Sequence, residues 1–215
     1  MIRALVFDFD GVIIDTETTL LDAAAEIHQR ADRPFSRRQA REAVGRSALH
    51  YDLWAAFGPG ADRMALDAEL LRLNRERAAR QPVLPGVRDY LRQARAAGLK
   101  IGLASNSGHA HVDGHLARLG LFECFDFVRC IEDVPAGKPE PDLYCAVVEY
   151  FGVAGADAIA IEDSAHGVLA AKRAGLWCVA VPGPSSADHD FSHADLKLAS
   201  LSQCSLADLL KKFPG

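Results

Sequence analysis

Residues 4–11 read Ala4-Leu5-Val6-Phe7-Asp8-Phe9-Asp10-Gly11: four apolar residues in a row, then two acids around one aromatic, then glycine. A short, continuous apolar run ended by turn formers suits a strand covered on both faces, as in a parallel sheet. The pattern recurs at Lys100-Ile101-Gly102-Leu103-Ala104, Phe125 to Cys130, Ala158-Ile159-Ala160-Ile161 and Trp177-Cys178-Val179-Ala180-Val181. Between the runs, apolar residues take helical spacing: Val87, Leu91 and Ala94; Val112, Leu116 and Leu119; Leu143, Val147 and Tyr150. Gly98, Gly120, Gly152 and Gly175 stand where these helices, and one after Asp163, should stop. Strands alternating with helices predict a doubly wound α/β sheet, whose sites form at the carboxyl ends of the strands.

One stretch breaks the alternation. From Thr16 to Gln81 there is no strand-like run, only helical patterns such as Leu20, Ala24, Ile27 and Leu66, Leu70, Leu73. Turn signals fall at Asp32-Arg33-Pro34 and Gly58-Pro59-Gly60, and Pro82 and Pro85-Gly86 close the block. The expected organisation is a Rossmann-like core of residues 1–15 and 83–215, interrupted by an all-helical cap of residues 16–82. A cap leaving from the carboxyl edge of the sheet would cover a site there and exclude bulk water on closing.

Composition agrees with a folded enzyme-sized chain. The 215 residues are 49% apolar and 25% charged, which excludes disorder and collagen-like repeats. No apolar run approaches the roughly 20 residues of a membrane helix, and residues 1–10 lack the features of a signal peptide. A cytoplasmic protein is expected. An excess of 29 acids over 24 bases argues against nucleic acid or an anionic membrane as partner. Five cysteines without a CxxC spacing predict reduced, mostly buried thiols rather than a disulfide framework or zinc site. No leftover apolar stripe calls for a second copy, so a monomer is expected.

The strand ends carry the chemistry. They hold Asp8 and Asp10, then Ser105-Asn106-Ser107, then Glu162-Asp163-Ser164, with Gly137-Lys138-Pro139 in a loop between. A single acid after a strand is an ordinary turn former or helix cap. Four carboxylates, a hydroxyl and a lysine at successive strand ends exceed what capping requires. Such acids raise one another's pKa unless a cation neutralises them, and an oxygen-only donor set favours Mg²⁺. With Mg²⁺ and Lys138 present, one net negative charge remains, so an anionic phosphoryl group is tolerated and a carboxylate can attack phosphorus.

Asp8-Phe9-Asp10-Gly11-Val12, Ser105, Lys138 and Glu162-Asp163 resemble, in order and spacing, the four motifs of the haloacid dehalogenase superfamily. The stretch Asp10-Gly11-Val12-Ile13-Ile14-Asp15-Thr16-Glu17 is most similar to its β-phosphoglucomutase and sugar-phosphate phosphatase branch. The resemblance implies that Asp8 is the nucleophile and forms an aspartyl-phosphate, while Asp10 protonates the leaving alkoxide and then activates water. It implies Ser105 as a phosphate donor and Lys138 as the charge balance on Asp8. Mg²⁺ would be held by Asp8, the Asp10 carbonyl, Asp163 and Glu162, the last directly or through water. Gly11, Glu17, Arg46 and Asn106 are candidate substrate contacts: Arg46 either grips a second anion or lies on a solvated helix face, and Asn106 either touches substrate or caps the next helix. Dehalogenases lack an acid at the position of Asp10, so its presence favours phosphate chemistry. Mutases of this branch carry histidine at the position of Leu20; leucine cannot relay a proton, so hydrolysis of a small phosphomonoester is expected over phosphoryl transfer within a sugar.

Two rival readings fall away. Phosphate-receiver domains also gather acids, a hydroxyl and a lysine, but they phosphorylate an Asp after the third strand and lack a helical insert. His109-Ala110-His111-Val112-Asp113-Gly114-His115 is close to the HxHxDH of binuclear metallohydrolases, but Gly114 stands where the last histidine belongs. On a helix His111 and His115 share one face, read here as a solvated face beside Val112 and Leu116.

Overall fold

The computed structural model describes residues 1–43 and 52–213. The chain divides into two compact units, Met1–Ile14 with Pro82–Gly215, and Asp15–Gln81. Each limit lies one residue before the one expected. Asp15 goes with the helical unit because its side chain caps the first helix, accepting the Thr18 N–H at 3.0 Å.

In chain order the elements are β1 (Ala4–Phe7), α1 (Thr16–Arg30), α2 (Arg37–Ala43), α3 (Arg63–Ala78), α4 (Val87–Ala96) and β2 (Lys100–Ala104). There follow α5 (His109–Leu119), β3 (Phe127–Arg129), α6 (Asp142–Phe151), β4 (Ala158–Glu162), α7 (Ala165–Arg173), β5 (Trp177–Ala180), β6 (Leu196–Lys197) and α8 (Leu206–Leu210). The six strands form one parallel sheet in the order β3-β2-β1-β4-β5-β6. The order reverses beside β1, which makes the gap between the ends of β1 and β4 the switch point where ligands of open α/β sheets bind.

Alternation along β1 separates the two cores. Leu5 and Phe7 pack with Val87, Leu91, Val112, Leu116 and Leu209, from α4, α5 and α8. Ala4 and Val6 pack with Leu143, Val147, Val168 and Ala171, from α6 and α7. Both faces are covered, which is why the strand reads as one continuous apolar run. Burial of this kind stabilises by roughly 1.5–3 kcal/mol per large side chain. Gly98, Gly120, Gly152 and Gly175 all take positive φ at helix ends, as the spacing anticipates.

Two local expectations need correction, and one strand was not anticipated. Tyr150 is 61% exposed; the inward face of α6 is Leu143, Tyr144, Val147 and Val148, and the Tyr150 ring stacks outside on Phe127. The run from Phe125 to Cys130 yields only three strand residues, because helical turns at Phe122–Cys124 and Ile131–Asp133 take its ends. Strand β6, two residues long, carries no apolar signal. No cysteine is in a disulfide; Cys130 and Cys178 are buried, and the other three are half-buried.

The helical unit packs α1 against α3. Its core is Ala23, Ala24, Ile27, Trp54, Leu70 and Leu73, with Leu20 and Leu66 at the edge. His28, 2% exposed, lies inside it, flanked by Phe35, Trp54 and Phe57, with its ring nitrogens 2.9 Å from the carbonyls of Pro34 and Leu53. Among the described residues no helix is long and apolar enough to cross a membrane.

Candidate active site

Strand register assembles the site. Phe7 lies opposite Leu103 on one side and Ile161 on the other. The next residues, Asp8, Ala104 and Glu162, therefore stand level, and Ser105 and Asp163 lie one step beyond. The ladder continues past β1 through the Asp8 N–H, which donates to the Ile161 carbonyl at 2.9 Å. Asp8 is thus held by main chain before any side-chain contact forms.

Lys138 joins the acids from its loop. Its Nζ donates to Asp8 Oδ1 at 2.5 Å and to Glu162 Oε1 at 2.6 Å, with all three side chains buried. The Lys138 backbone is clamped in turn by Asn106, whose Oδ1 accepts the Lys138 N–H at 2.7 Å and whose Nδ2 donates to the Lys138 carbonyl at 3.1 Å. Glu162 is fully enclosed. It accepts the Tyr144 hydroxyl at 2.7 Å, and its second oxygen accepts the Asp163 and Ser164 N–H groups and the Ser164 hydroxyl. These last donors open α7, so the carboxylate sits where the helix dipole favours negative charge. Gly167 makes the approach possible: a Cβ there would lie 1.9 Å from the Glu162 carboxyl.

The electrostatics ask for more positive charge than Lys138 supplies. Burial pushes the Asp8 carboxyl well above the usual carboxylate range; Lys138 opposes this, and Glu162 and Asp10 add to it. Burial also works against the Lys138 charge, yet Asp8 and Glu162 outweigh it and hold the ammonium above its ordinary range. Oxygens of Asp8, Glu162 and Asp163 lie within 4.8 Å of one another, a hard donor set fit for a divalent cation. Asp163 Oδ2 also accepts the buried Ser186 hydroxyl at 3.0 Å. Gly11, with φ +78°, lets the chain turn and leaves room for this acid, because a Cβ would lie 2.2 Å from Asp163 Oδ2.

The Asp10 carboxylate stands apart from that trio. Its Oδ2 accepts the Ser107 hydroxyl at 2.5 Å, and its Oδ1 lies 3.0 Å from His111 Nε2. The solvated-face reading of the histidines is therefore overturned. His115 is buried with its ring beside Phe9, and His111 meets an acid of the site. Burial, helped by His111 and Arg118, pushes the His115 ring down to about 4, so it is neutral at ordinary pH.

The remaining candidates separate. Ser105 is buried at the end of β2, and its Oγ accepts the Ser107 N–H at 3.0 Å, which leaves its hydroxyl proton to donate. Asn106, read as a substrate contact or a helix cap, has its amide hydrogen-bonded to the Lys138 backbone. Gly11 acts through backbone geometry, making space for Asp163. Glu17 lies in the first turn of α1 in the helical unit. Arg46 lies outside the described residues. Reading motifs missed Ser107, His111, Tyr144 and Ser186. Ser107 and His111 share an i, i+4 spacing within Ser-Gly-His-Ala-His, a signal that was present; Tyr144 and Ser186 had none.

Known proteins are similar to this chain over nearly its whole length. The chain is 38% identical over 214 residues, 98% of itself and 97% of the relative, to YhcW of Bacillus subtilis (strain 168), a provisionally assigned phosphatase. It is 33% identical over 215 residues, 97% of each chain, to hexitol phosphatase B of Escherichia coli (strain K12). Its fold superposes with a TM-score of 0.76 on CbbY of Rhodobacter sphaeroides, a variant solved with xylulose-1,5-bisphosphate, at 27% identity over 97% of this chain and 99% of that one. Residues 2–175 match the haloacid dehalogenase-like hydrolase family, and the chain belongs to that family.

Proposed function

We propose that this protein is a Mg²⁺-dependent phosphatase that hydrolyses a small phosphomonoester, a sugar or sugar-alcohol phosphate, through an aspartyl-phosphate on Asp8. The observation that carries the reading is the buried Asp8–Lys138–Glu162 network beside a separately held Asp10. The nucleophile and the acid–base group are both carboxylates, and their surroundings differ as the two tasks require. The names of the hexitol phosphatase and of the sugar-bisphosphate complex support the substrate class.

In the first step an Asp8 oxygen attacks phosphorus, the bond from phosphorus to the ester oxygen breaks, and Asp10 gives its proton to that oxygen. In the second, water attacks the phosphorus of the aspartyl-phosphate, Asp10 takes the water proton, and the Asp8 carboxylate leaves with its electron pair. Lys138 balances charge at Asp8 throughout, and the Ser105 hydroxyl donates to a phosphoryl oxygen. Asp8 and Asp163, with the Asp10 carbonyl, would hold Mg²⁺. When bound, the ion supplies Lewis-acid neutralisation of the phosphoryl oxygens and of the acids. Glu162 belongs to the same trio, but its oxygens already serve Lys138, Tyr144, Ser164 and the opening of α7, so its contribution is to hold Lys138. Leu20 packs at the edge of the helical core, where it offers no proton relay, which favours hydrolysis over mutase chemistry. The helical unit is assigned the choice among substrates.

The test is phosphate release across sugar phosphates, sugar-alcohol phosphates, nucleotides and phosphoglycolate, with Mg²⁺ and with chelator. Turnover that needs Mg²⁺ and falls about a thousandfold or more in Asp8→Asn is expected. Unchanged turnover in Asp8→Asn rules out the nucleophile, and net isomerisation of glucose 1-phosphate rules out the hydrolase reading.

A further inference from the structure

The segment His109 to His115 is not used by any step above, yet it delivers one side chain into the site. We infer that His111 is a positioning residue for Asp10: with Ser107 it fixes the carboxylate that protonates the leaving oxygen. The inference deepens the proposed function and rests on its assignment of Asp10 as general acid.

The geometry is specific. Ser107 and His111 approach different oxygens of one carboxylate, at 2.5 and 3.0 Å. A carboxylate oxygen has two lone pairs, so accepting a hydrogen bond does not by itself block proton transfer at that oxygen. The pair removes the rotational freedom of the side chain without consuming its acid–base capacity. A carboxylate free to turn would spend much of its time away from the leaving oxygen, and preorganisation of this kind accelerates the proton-transfer step alone.

His111 is itself held from both sides. The Phe9 ring meets it edge-on with centroids 5.5 Å apart, and the His115 ring lies 4.7 Å away. His115 is buried and Phe9 fully so. The supporting rings come from the β1 end and from α5, the same elements that place Asp10 and His111. Ser107 precedes the extended N-cap residue Gly108 and His111 lies in the first turn of α5, so the loop after β2 and the start of the helix each bring one group to the same acid.

A positioning role for the general acid predicts a dependence on the leaving group that a structural role does not. The probes are p-nitrophenyl phosphate, whose leaving group departs without a proton, and phenyl phosphate and a hexitol phosphate, whose leaving groups need one. The readout is kcat/KM, which reports steps up to formation of the phosphorylated enzyme and so excludes the later hydrolysis. His111→Phe keeps the ring contacts and removes the hydrogen bond. It should lower kcat/KM for hexitol phosphate by about ten- to thirtyfold and for p-nitrophenyl phosphate by less than about twofold. His111→Gln retains a donor and should recover most of the loss.

Equal losses on all three substrates, in both variants, overturn the inference in favour of a purely structural histidine, and so does the absence of any loss. Asp10→Asn measured beside them keeps the two levels apart. A leaving-group-selective loss in Asp10→Asn without one in His111→Phe defeats only the role of His111. Its absence in Asp10→Asn defeats the general-acid assignment and this inference with it.

Discussion

The two units of this chain handle charge in opposite ways. In the helical unit the ion pairs are exposed or half-buried: Arg63 with Asp52, Arg72 with Glu69 and Glu76, Arg37 with Asp22, and Arg77 with Glu26. Its core is apolar apart from His28 and a few hydrogen-bonded groups such as the Trp54 indole, which donates to Asp67 at 2.7 Å. In the sheet unit Asp8, Lys138, Glu162 and Asp163 are all buried. Exposed pairs are solvated before and after folding and contribute little. Buried charges are costly unless every partner is in place, so evolution of a stable fold alone gives no reason to retain them. The contrast marks the end of the sheet as the place where stability is given up for chemistry.

Breaking the buried network should have the largest effect. Lys138→Met leaves Asp8 and Glu162 without their cation, and a loss of about 3–5 kcal/mol in denaturant unfolding of metal-free protein is expected. A loss below about 1 kcal/mol would mean that the acids shed their charge at little cost, and the contrast between the units would fail. Gly167→Ala comes next. Its methyl group must displace the Glu162 carboxyl, so about 1–3 kcal/mol should be lost, together with activity.

A pH measurement sharpens the comparison. The folded His115 ring titrates near 4 and the unfolded one near 6.5, so between these values the unfolded chain binds the extra proton. Stability is therefore greatest above about pH 6.5 on this account and is lost as pH falls toward about 4. His115→Gln should lose less than the parent protein over that window, as followed by urea unfolding at stepped pH. Parallel curves would show that the ring does not titrate as its burial implies. The smallest effect is expected from Arg63→Ala in the helical unit, whose pair with Asp52 is solvent-exposed. Its unfolding midpoint should match that of the parent within error, and high salt should leave the difference unchanged.

Motif reading singled out Asp8, Asp10, Ser105, Lys138, Glu162 and Asp163 as candidates, because phosphoryl chemistry needs these residue types and strand ends are legible as apolar runs. It misjudged residues whose contribution depends on what faces them. Asn106 was left between a substrate contact and a helix cap, and neither reading anticipates that its amide holds the Lys138 backbone. His111 was dismissed because helical period alone cannot tell a solvated face from one turned toward a neighbouring loop. Tyr150 was placed inside α6, where the inward stripe runs through Tyr144 and Val148 instead.

The sequence by itself determined the alternation of strands and helices, the helical interruption after β1, and the acids, hydroxyl and lysine at the strand ends. These follow from local rules: apolar periodicity, turn formers and residue chemistry all act over a few neighbours. Only the tertiary structure decided that β1 and β4 are adjacent, that Lys138 bridges Asp8 and Glu162 across 130 and 24 residues, and that His111 reaches Asp10. Strand order and register are set by packing of the whole sheet between its two helical layers, and no local pattern records which distant chain ends that packing brings together.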